Sequence, residues 1–252
     1  GGFDEKRHFL RGRETGIFDF KGIRLGLCIC EDVWGAAPAR AARDAGAQLL
    51  ININASPFNL GKPAERVRVL DQRVAETGLP VLYVNLVGGQ DDLVFDGGSL
   101  ALNGDGAIGF RAPMFEEGVH PVIFDGVRLS GTRHVTESDE AAAYKALVQA
   151  VRDYVNRNGF PGALIGMSGG IDSALVAAIA VDALGADRVW GVSMPSRYTM
   201  DMSNDDARIQ AERMGIKYSR LAIEPAVQAF TATLAPEFAG RAADITEENL
   251  QS

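Results

Sequence analysis

Cysteine, histidine and positive charge are all scarce in this chain. Two cysteines in 252 residues exclude a disulfide-stapled scaffold and suit a reducing compartment. The three histidines, His8, His120 and His134, are scattered, so nothing completes a four-ligand metal site around the pair Cys28 and Cys30. Lys and Arg number 25 against 33 Asp and Glu, a net charge of -8 with no basic run, which argues against a nucleic-acid partner. There is no signal peptide and no apolar run of transmembrane length, so no membrane partner is expected and the expected compartment is the cytoplasm. The G-x-x-x-x-G-K-[ST] pattern of a Walker A loop is absent too. What remains is the make-up of an ordinary globular protein, 46 % hydrophobic and 23 % charged, long enough for one large or two ordinary domains.

The strongest signal is the run Gly166-Met167-Ser168-Gly169-Gly170-Ile171-Asp172-Ser173. An apolar, strand-like stretch (Ala163-Leu164-Ile165) precedes it and a helical one (Ala174 to Ala180) follows. A Gly/Ser-rich turn in that setting aims backbone N–H groups and hydroxyls at one point, at the positive end of a helix dipole: an anion site. Asp172 has carboxylate oxygens suited to Mg²⁺, although capping the helix is a competing role for it. The same half predicts a helix from about Thr136 to Asn158, a strand over Arg188–Met194, a helix over Asn204–Met214 and a strand near Lys217–Leu221. This is the order of a doubly wound sheet.

The first half reads as strand Ile23–Cys30, helix Ala37–Gly46, strand Gln48–Asn54, helix Pro63–Thr77 and strand Pro80–Val87, then a hairpin across Gly104-Asp105-Gly106. Gly104, Gly106 and Gly109 spell a formal G-x-G-x-x-G, but no helix opens after it, so a plain turn is expected rather than a dinucleotide fingerprint. The first strand delivers Cys30, in Cys28-Ile29-Cys30-Glu31-Asp32-Val33-Trp34, to its carboxyl end, where open α/β sheets place their sites. On spacing alone a buried, inert thiol is the commoner outcome.

Its surroundings favour chemistry. Phe3-Asp4-Glu5-Lys6-Arg7-His8-Phe9, Cys30 to Trp34, Asn54-Ala55-Ser56-Pro57-Phe58-Asn59-Leu60-Gly61-Lys62 and Asp91 to Ser99 together resemble the glutaminase domain of glutamine-dependent NAD synthetases, a branch of the nitrilase superfamily. Gly166–Ser173 resembles the S-G-G-x-D-S loop of N-type ATP pyrophosphatases. Met194-Pro195-Ser196-Arg197-Tyr198-Thr199 and Thr246-Glu247-Glu248-Asn249 resemble further NAD synthetase segments. The resemblance implies that Cys30 is the nucleophile of a Cys-Glu-Lys triad working through a thioester. It also implies that Ser56 and Lys62 contact bound glutamine, that Gly166, Met167, Ser168, Gly169, Gly170, Ile171, Asp172 and Ser173 hold ATP and pyrophosphate, and that Asn249 contacts deamido-NAD. The family's Glu, Lys and a substrate-binding Tyr lie upstream of Phe3, so Glu5 and Lys6 are not those residues. Cys30 is then the one triad member expected here, and the chain alone is expected to be inactive. Glu31 is expected to orient the Cys30 turn or meet solvent.

The expected fold is therefore α/β: the C-terminal part of a nitrilase-like α-β-β-α sandwich, residues 1–125, then a linker, 126–136, and then the N-terminal part of a doubly wound ATP pyrophosphatase domain, 137–252. The implied reaction amidates deamido-NAD to NAD with ATP and Mg²⁺, with glutamine or ammonia as nitrogen source. No tightly bound organic cofactor is expected, and the family implies a homo-oligomer. Two alternatives stay open: a nitrilase-type amidase with a vestigial nucleotide domain, and another N-type pyrophosphatase amidotransferase. A non-catalytic nucleotide-binding module is a third.

Overall fold

The computed structural model describes residue 12, residues 14–195 and residues 201–239. The expectations for the segment Phe3–Phe9, for Ser196, Tyr198 and Thr199, and for Asn249 lie outside those residues. The chain divides into two compact units after Ala146.

The first unit opens with a hairpin, β1 (Gly16–Phe20) and β2 (Ile23–Ile29). Helix α1 (Ala36–Asp44), β3 (Leu49–Asn54), α2 (Lys62–Thr77) and β4 (Val81–Asn85) follow. Strands β5 (Val87–Gln90) and β6 (Leu93–Asp96) pair as a ribbon of their own. Then come the hairpin β7 (Leu100–Leu102) and β8 (Ile108–Arg111) and a last short ribbon, β9 (Ile123–Phe124) and β10 (Leu129–Ser130). Six of these strands form one sheet in the order β1-β2-β3-β4-β7-β8. Its centre, β2, β3 and β4, is parallel. Crossovers of one hand run in one direction and so lay α1 and α2 on the same face. Ala39 and Ala42 of α1 and Leu70 and Val74 of α2 pack there on Cys28, Leu50, Val81 and Tyr83.

The opposite face is covered over only half its height. Near the start of the parallel strands, Leu25, Leu49 and Ala101 are buried under Phe110, Ala112 and Leu129. Toward their carboxyl ends, Leu27, Ile29, Ile53 and Val84 stay exposed. Ile29 is in register with Ile53, and Ile53 with Val84, so these form one uncovered apolar row.

The G-x-G-x-x-G is the turn of the β7–β8 hairpin, as its sequence context implies. Gly109 is needed for packing, because a Cβ there would sit 2.0 Å from the Leu129 carbonyl oxygen. Residues 126–136, expected as a linker, are tied into this unit instead. Gly131 donates to Gly109 (3.0 Å), Arg111 to Thr132 (3.1 Å) and His134 to Arg111 (3.0 Å), and Leu129 lies in the core. A two-residue strand is too short to show alternation, which is why the stretch looked structureless in sequence.

Helix α3 (Asp139–Arg157) leads from the first unit into the second. Its start is capped by Ser138, whose Oγ accepts from the Ala141 N–H at 3.3 Å. The second unit runs β11 (Ala163–Gly166), α4 (Ile171–Leu184), β12 (Val189–Ser193), α5 (Asp201–Met214), β13 (Lys217–Arg220) and α6 (Glu224–Leu234). Its three strands are parallel in the order β11-β12-β13. Met167, Ala180, Val189, Ala207, Ala211 and Ile216 form its core. Both units are α/β, and the one carrying Cys30 precedes the one carrying the glycine-rich loop.

Candidate functional site

Cys30 stands at the end of β2 as the first residue of a 3-10 turn, Cys30–Trp34, with φ at 42°. A non-glycine residue in the left-handed region costs on the order of 1–2 kcal/mol, so the surroundings must hold it. Asp32 does so from within the turn, its carboxylate accepting the Ile29 N–H at 2.9 Å. Glu31 and Asp32 are both exposed, and of the two it is Asp32 whose bond to the Ile29 N–H orients the turn. Helix α2 braces the far end. Arg73 Nη1 donates to the Trp34 carbonyl at 3.2 Å, and the Lys62 ammonium lies over the Trp34 ring, 3.9 Å from its centroid.

The two thiols differ. Cys30 is half-buried, whereas Cys28 is 3 % exposed among the core residues beneath it. Burial, with the nearby Asp32 carboxylate adding to it, pushes the Cys28 thiol up to about 11, so it stays protonated and inert near neutral pH. Neither forms a disulfide.

The three parallel strands end together, and their ends carry polar groups. After β3 the chain turns through Ser56, and β4 ends at Asn85. Ser56 is buried, its N–H donating to Asn85 Oδ1 at 2.9 Å. Arg66, one turn into α2, donates to the Ser56 carbonyl (2.9 Å), to Ser56 Oγ from two nitrogens (both 3.3 Å), and to Asp96 at 2.6 Å. Asn85 Nδ2 completes the cluster, donating to the Gly97 carbonyl at 3.0 Å. The buried Tyr83 phenol is the common neighbour. Desolvation raises its pKa; the Arg66 charge and Ser56 counter that, and the nearby Cys30 and Asp96 reinforce it. Its Oη has no partner within hydrogen-bonding geometry. Cys30, Ser56 and Lys62 are thus brought to one sheet edge, and Lys62 also meets Glu65 at 3.1 Å.

Sequence reasoning missed Arg66, Asn85 and Asp96 as members of this cluster. The signal for Arg66 was available: Arg66, Leu70, Arg73 and Val74 form one helical stripe and are all buried, although two are cationic.

In the second unit Gly166–Ser173 forms the expected loop between β11 and α4. Its two hydroxyls close it: Ser168 Oγ and Ser173 Oγ are 3.2 Å apart, the Ser168 N–H reaches Ser173 Oγ at 3.3 Å, and the Gly170 N–H reaches Ser168 Oγ at 3.3 Å. Asp172 is exposed in the first turn of α4. Two loop residues serve packing. Met167 is buried against Gly191, and the Gly169 backbone lies against Ser203 of α5 while its carbonyl accepts from Gln210 at 3.3 Å. Among the described residues no group of three or more His, Cys, Asp or Glu could hold a metal ion, and no helix is long and apolar enough to cross a membrane.

The carbon–nitrogen hydrolase family matches residues 1–136, the stretch that holds the Cys30 turn. The chain belongs to that family. Residues 143–252 of the chain match a second family, NAD synthase. Over 99 % of its length it is 43 % identical to the glutamine-dependent NAD(+) synthetase of Acinetobacter baylyi, and 45 % identical to that of Xylella fastidiosa, covering 47 % of each. The structure of the glutamine-dependent NAD+ synthetase from Acinetobacter baumannii, in complex with ADP, superposes on all of this chain with a TM-score of 0.95 at 43 % identity, 48 % of that chain being covered. A synthetase from Cytophaga hutchinsonii, at 20 % identity and a TM-score of 0.79, shares the fold. The chain spans about half the length of these relatives.

Proposed function

We propose that this chain carries the central machinery of a glutamine-dependent NAD synthetase. The carrying observation is the pairing, in one chain, of a strained Cys30 elbow and a hydroxyl-closed Gly166–Ser173 loop, each within the family match suited to it. In this reading Cys30 Sγ attacks the carboxamide carbon of glutamine, ammonia leaves, and water hydrolyses the thioester. Lys62, at the positive end of α2, and the Ser56 hydroxyl face the amino-acid end of glutamine. Residues up to 136 form the amide-hydrolysing domain. The uncovered row Ile29, Ile53 and Val84 suits the inner face of an α-β-β-α sandwich, which a second sheet would bury.

From residue 137 onward the chain uses ATP, in a doubly wound domain. The first-turn N–H groups of α4 and the loop hydroxyls bind the leaving pyrophosphate, so that deamido-NAD, for which Asn249 is the contact residue, is activated at its carboxylate as an adenylate for ammonia. Asp172 and the hydroxyls of Ser168 and Ser173 are hard oxygen donors that fit Mg²⁺. With a single carboxylate there, the remaining ligands would be ATP oxygens and water. Bound there, the ion neutralises phosphate charge. The reaction belongs to the cytoplasm, where both thiols stay reduced, and to a homo-oligomer, for which exposed Ile171, Leu175 and Val176 on α4 are available.

The test is a two-by-two comparison in the full-length protein. Cys30→Ala is expected to abolish glutamine-supported NAD formation and leave ammonia-supported formation intact. Asp172→Asn is expected to impair both. Wild-type glutamine use by the cysteine variant, or wild-type ammonia use by the aspartate variant, refutes the corresponding half.

A further inference from the structure

Resting on that reading of Cys30, we propose that the buried Arg66–Asp96 ion pair is a positioning device. It fixes the Ser56 hydroxyl as a hydrogen-bond donor toward substrate and so sets affinity for the amide substrate without touching it. An arginine has five N–H donors and no acceptor. Two of its nitrogens reach Ser56 Oγ at 3.3 Å, and one of these also holds the Ser56 carbonyl at 2.9 Å. With its oxygen facing donors, the hydroxyl has one thing left to offer, its proton. Ser56 then recognises an acceptor, a carboxylate or a carbonyl, and discriminates against an ammonium or amide N–H. The same contacts, with the 3.3 Å bond from Arg66 to the Pro57 carbonyl, pin the turn that leaves β3.

Asp96 makes this possible. The side chains of Arg66 and Asp96 are 2 % and 1 % exposed and 2.6 Å apart. Without the carboxylate the guanidinium would be an uncompensated buried charge, which proteins tolerate poorly. Asn85 holds the same assembly from β4, accepting the Ser56 N–H. A buried ion pair is weak as a stability device, since apolar residues of similar volume commonly replace it without loss. Its geometry, with most of the fork spent on one serine and the residue after it, fits orientation better.

The experiment uses the full-length enzyme and four variants: Ser56→Ala, the pair Arg66→Met with Asp96→Leu, the triple combination, and Arg66→Lys. Each is measured for melting temperature, ammonia-supported NAD formation, and kcat and KM with glutamine. The apolar pair is expected to melt near wild type and keep the ammonia-supported rate. Its glutamine KM should rise roughly tenfold or more, the scale of a lost charge-assisted hydrogen bond, with kcat changed less. Ser56→Ala should raise KM to a similar extent, and the triple variant no further, because the pair acts through the serine. Wild-type KM in either Ser56→Ala or the apolar pair overturns the proposal, and so does a triple variant in which the two effects multiply. If the pair variant does not fold, Arg66→Lys decides: it keeps a charge beside Asp96 but cannot reach Ser56 Oγ and O together, so a wild-type KM there is equally fatal. Cys30→Ala, run alongside, separates the two claims, since surviving glutamine use in it refutes the nucleophile and not the positioning role.

Discussion

Adjacent glycines in the Gly166–Ser173 loop should fail for different reasons when a methyl group is added. Gly169 has φ at 83°, and a Cβ built on it would lie 2.2 Å from the carbonyl oxygen of Ser203 and 2.9 Å from its carbonyl carbon. That is about 1 Å closer than a carbon and an oxygen ordinarily approach. The left-handed backbone costs an alanine about 1–2 kcal/mol, and forcing the loop away from α5 adds about 1–3 kcal/mol. Gly170 has an ordinary extended backbone, φ −79° and ψ 164°, and its added Cβ would meet Ser168 Oγ at 3.4 Å, a normal contact. Gly169→Ala is therefore expected to destabilise the second unit by roughly 2–5 kcal/mol, a melting shift of at least about 5 °C. Gly170→Ala should melt within about 2 °C of wild type while slowing ATP-dependent pyrophosphate release, because on the proposed reading its methyl would stand where phosphate approaches the backbone. Differential scanning calorimetry and a pyrophosphate assay with ammonia as nitrogen source read the two effects. Wild-type melting of Gly169→Ala would show that the loop does not press on α5 as its geometry requires.

Two further outcomes follow from the first unit. Asp32→Ala removes the acceptor for the Ile29 N–H, so the Cys30 turn should relax out of the left-handed region; glutamine turnover is expected to fall at least tenfold, with about 1 kcal/mol lost in stability, and undiminished turnover argues against a held elbow. The Cys28 thiol holds its proton more tightly folded than unfolded, so its contribution to stability is complete below its ordinary value near 9 and is lost as pH rises toward about 11; denaturant titrations should therefore show stability falling over that window, and Cys28→Ala should flatten the fall, whereas an unchanged slope would mean that the thiol does not titrate there.

Local chemistry made much of this protein legible before its structure. Alternating apolar stretches and glycine-ended helices marked β2, β3, β4, α1, α2 and the β11-α4-β12-α5-β13 run, because hydrophobic period and caps are written in neighbouring residues. The same locality made Gly166–Ser173 readable, since strand, turn and helix start are contiguous and the loop's hydroxyl bonds span at most five residues. The hairpin β1–β2, the ribbon β5–β6 and helix α6 carried weaker patterns and went unread. So did the 126–136 segment, where Gly131, Thr132 and His134 find backbone partners in Gly109 and Arg111, more than twenty residues away.

Tertiary structure alone decided which polar residues meet. Sequence placed Cys30 and Ser56 at the ends of two strands, but a strand end does not say which groups meet there: the Ser56 hydroxyl oxygen accepts from Arg66, while its backbone N–H donates to Asn85. Asp96 belongs to a ribbon outside the main sheet, thirty positions from the arginine it neutralises. Gly169 looked like a glycine needed for phosphate, and its nearest obstacle is the backbone of another helix. Periodicity and capping depend on bonds along the chain, and a sequence displays those. A buried ion pair or a close backbone approach depends on where distant segments come to rest, which the packing of α2 against the sheet and of α5 against its loop settles.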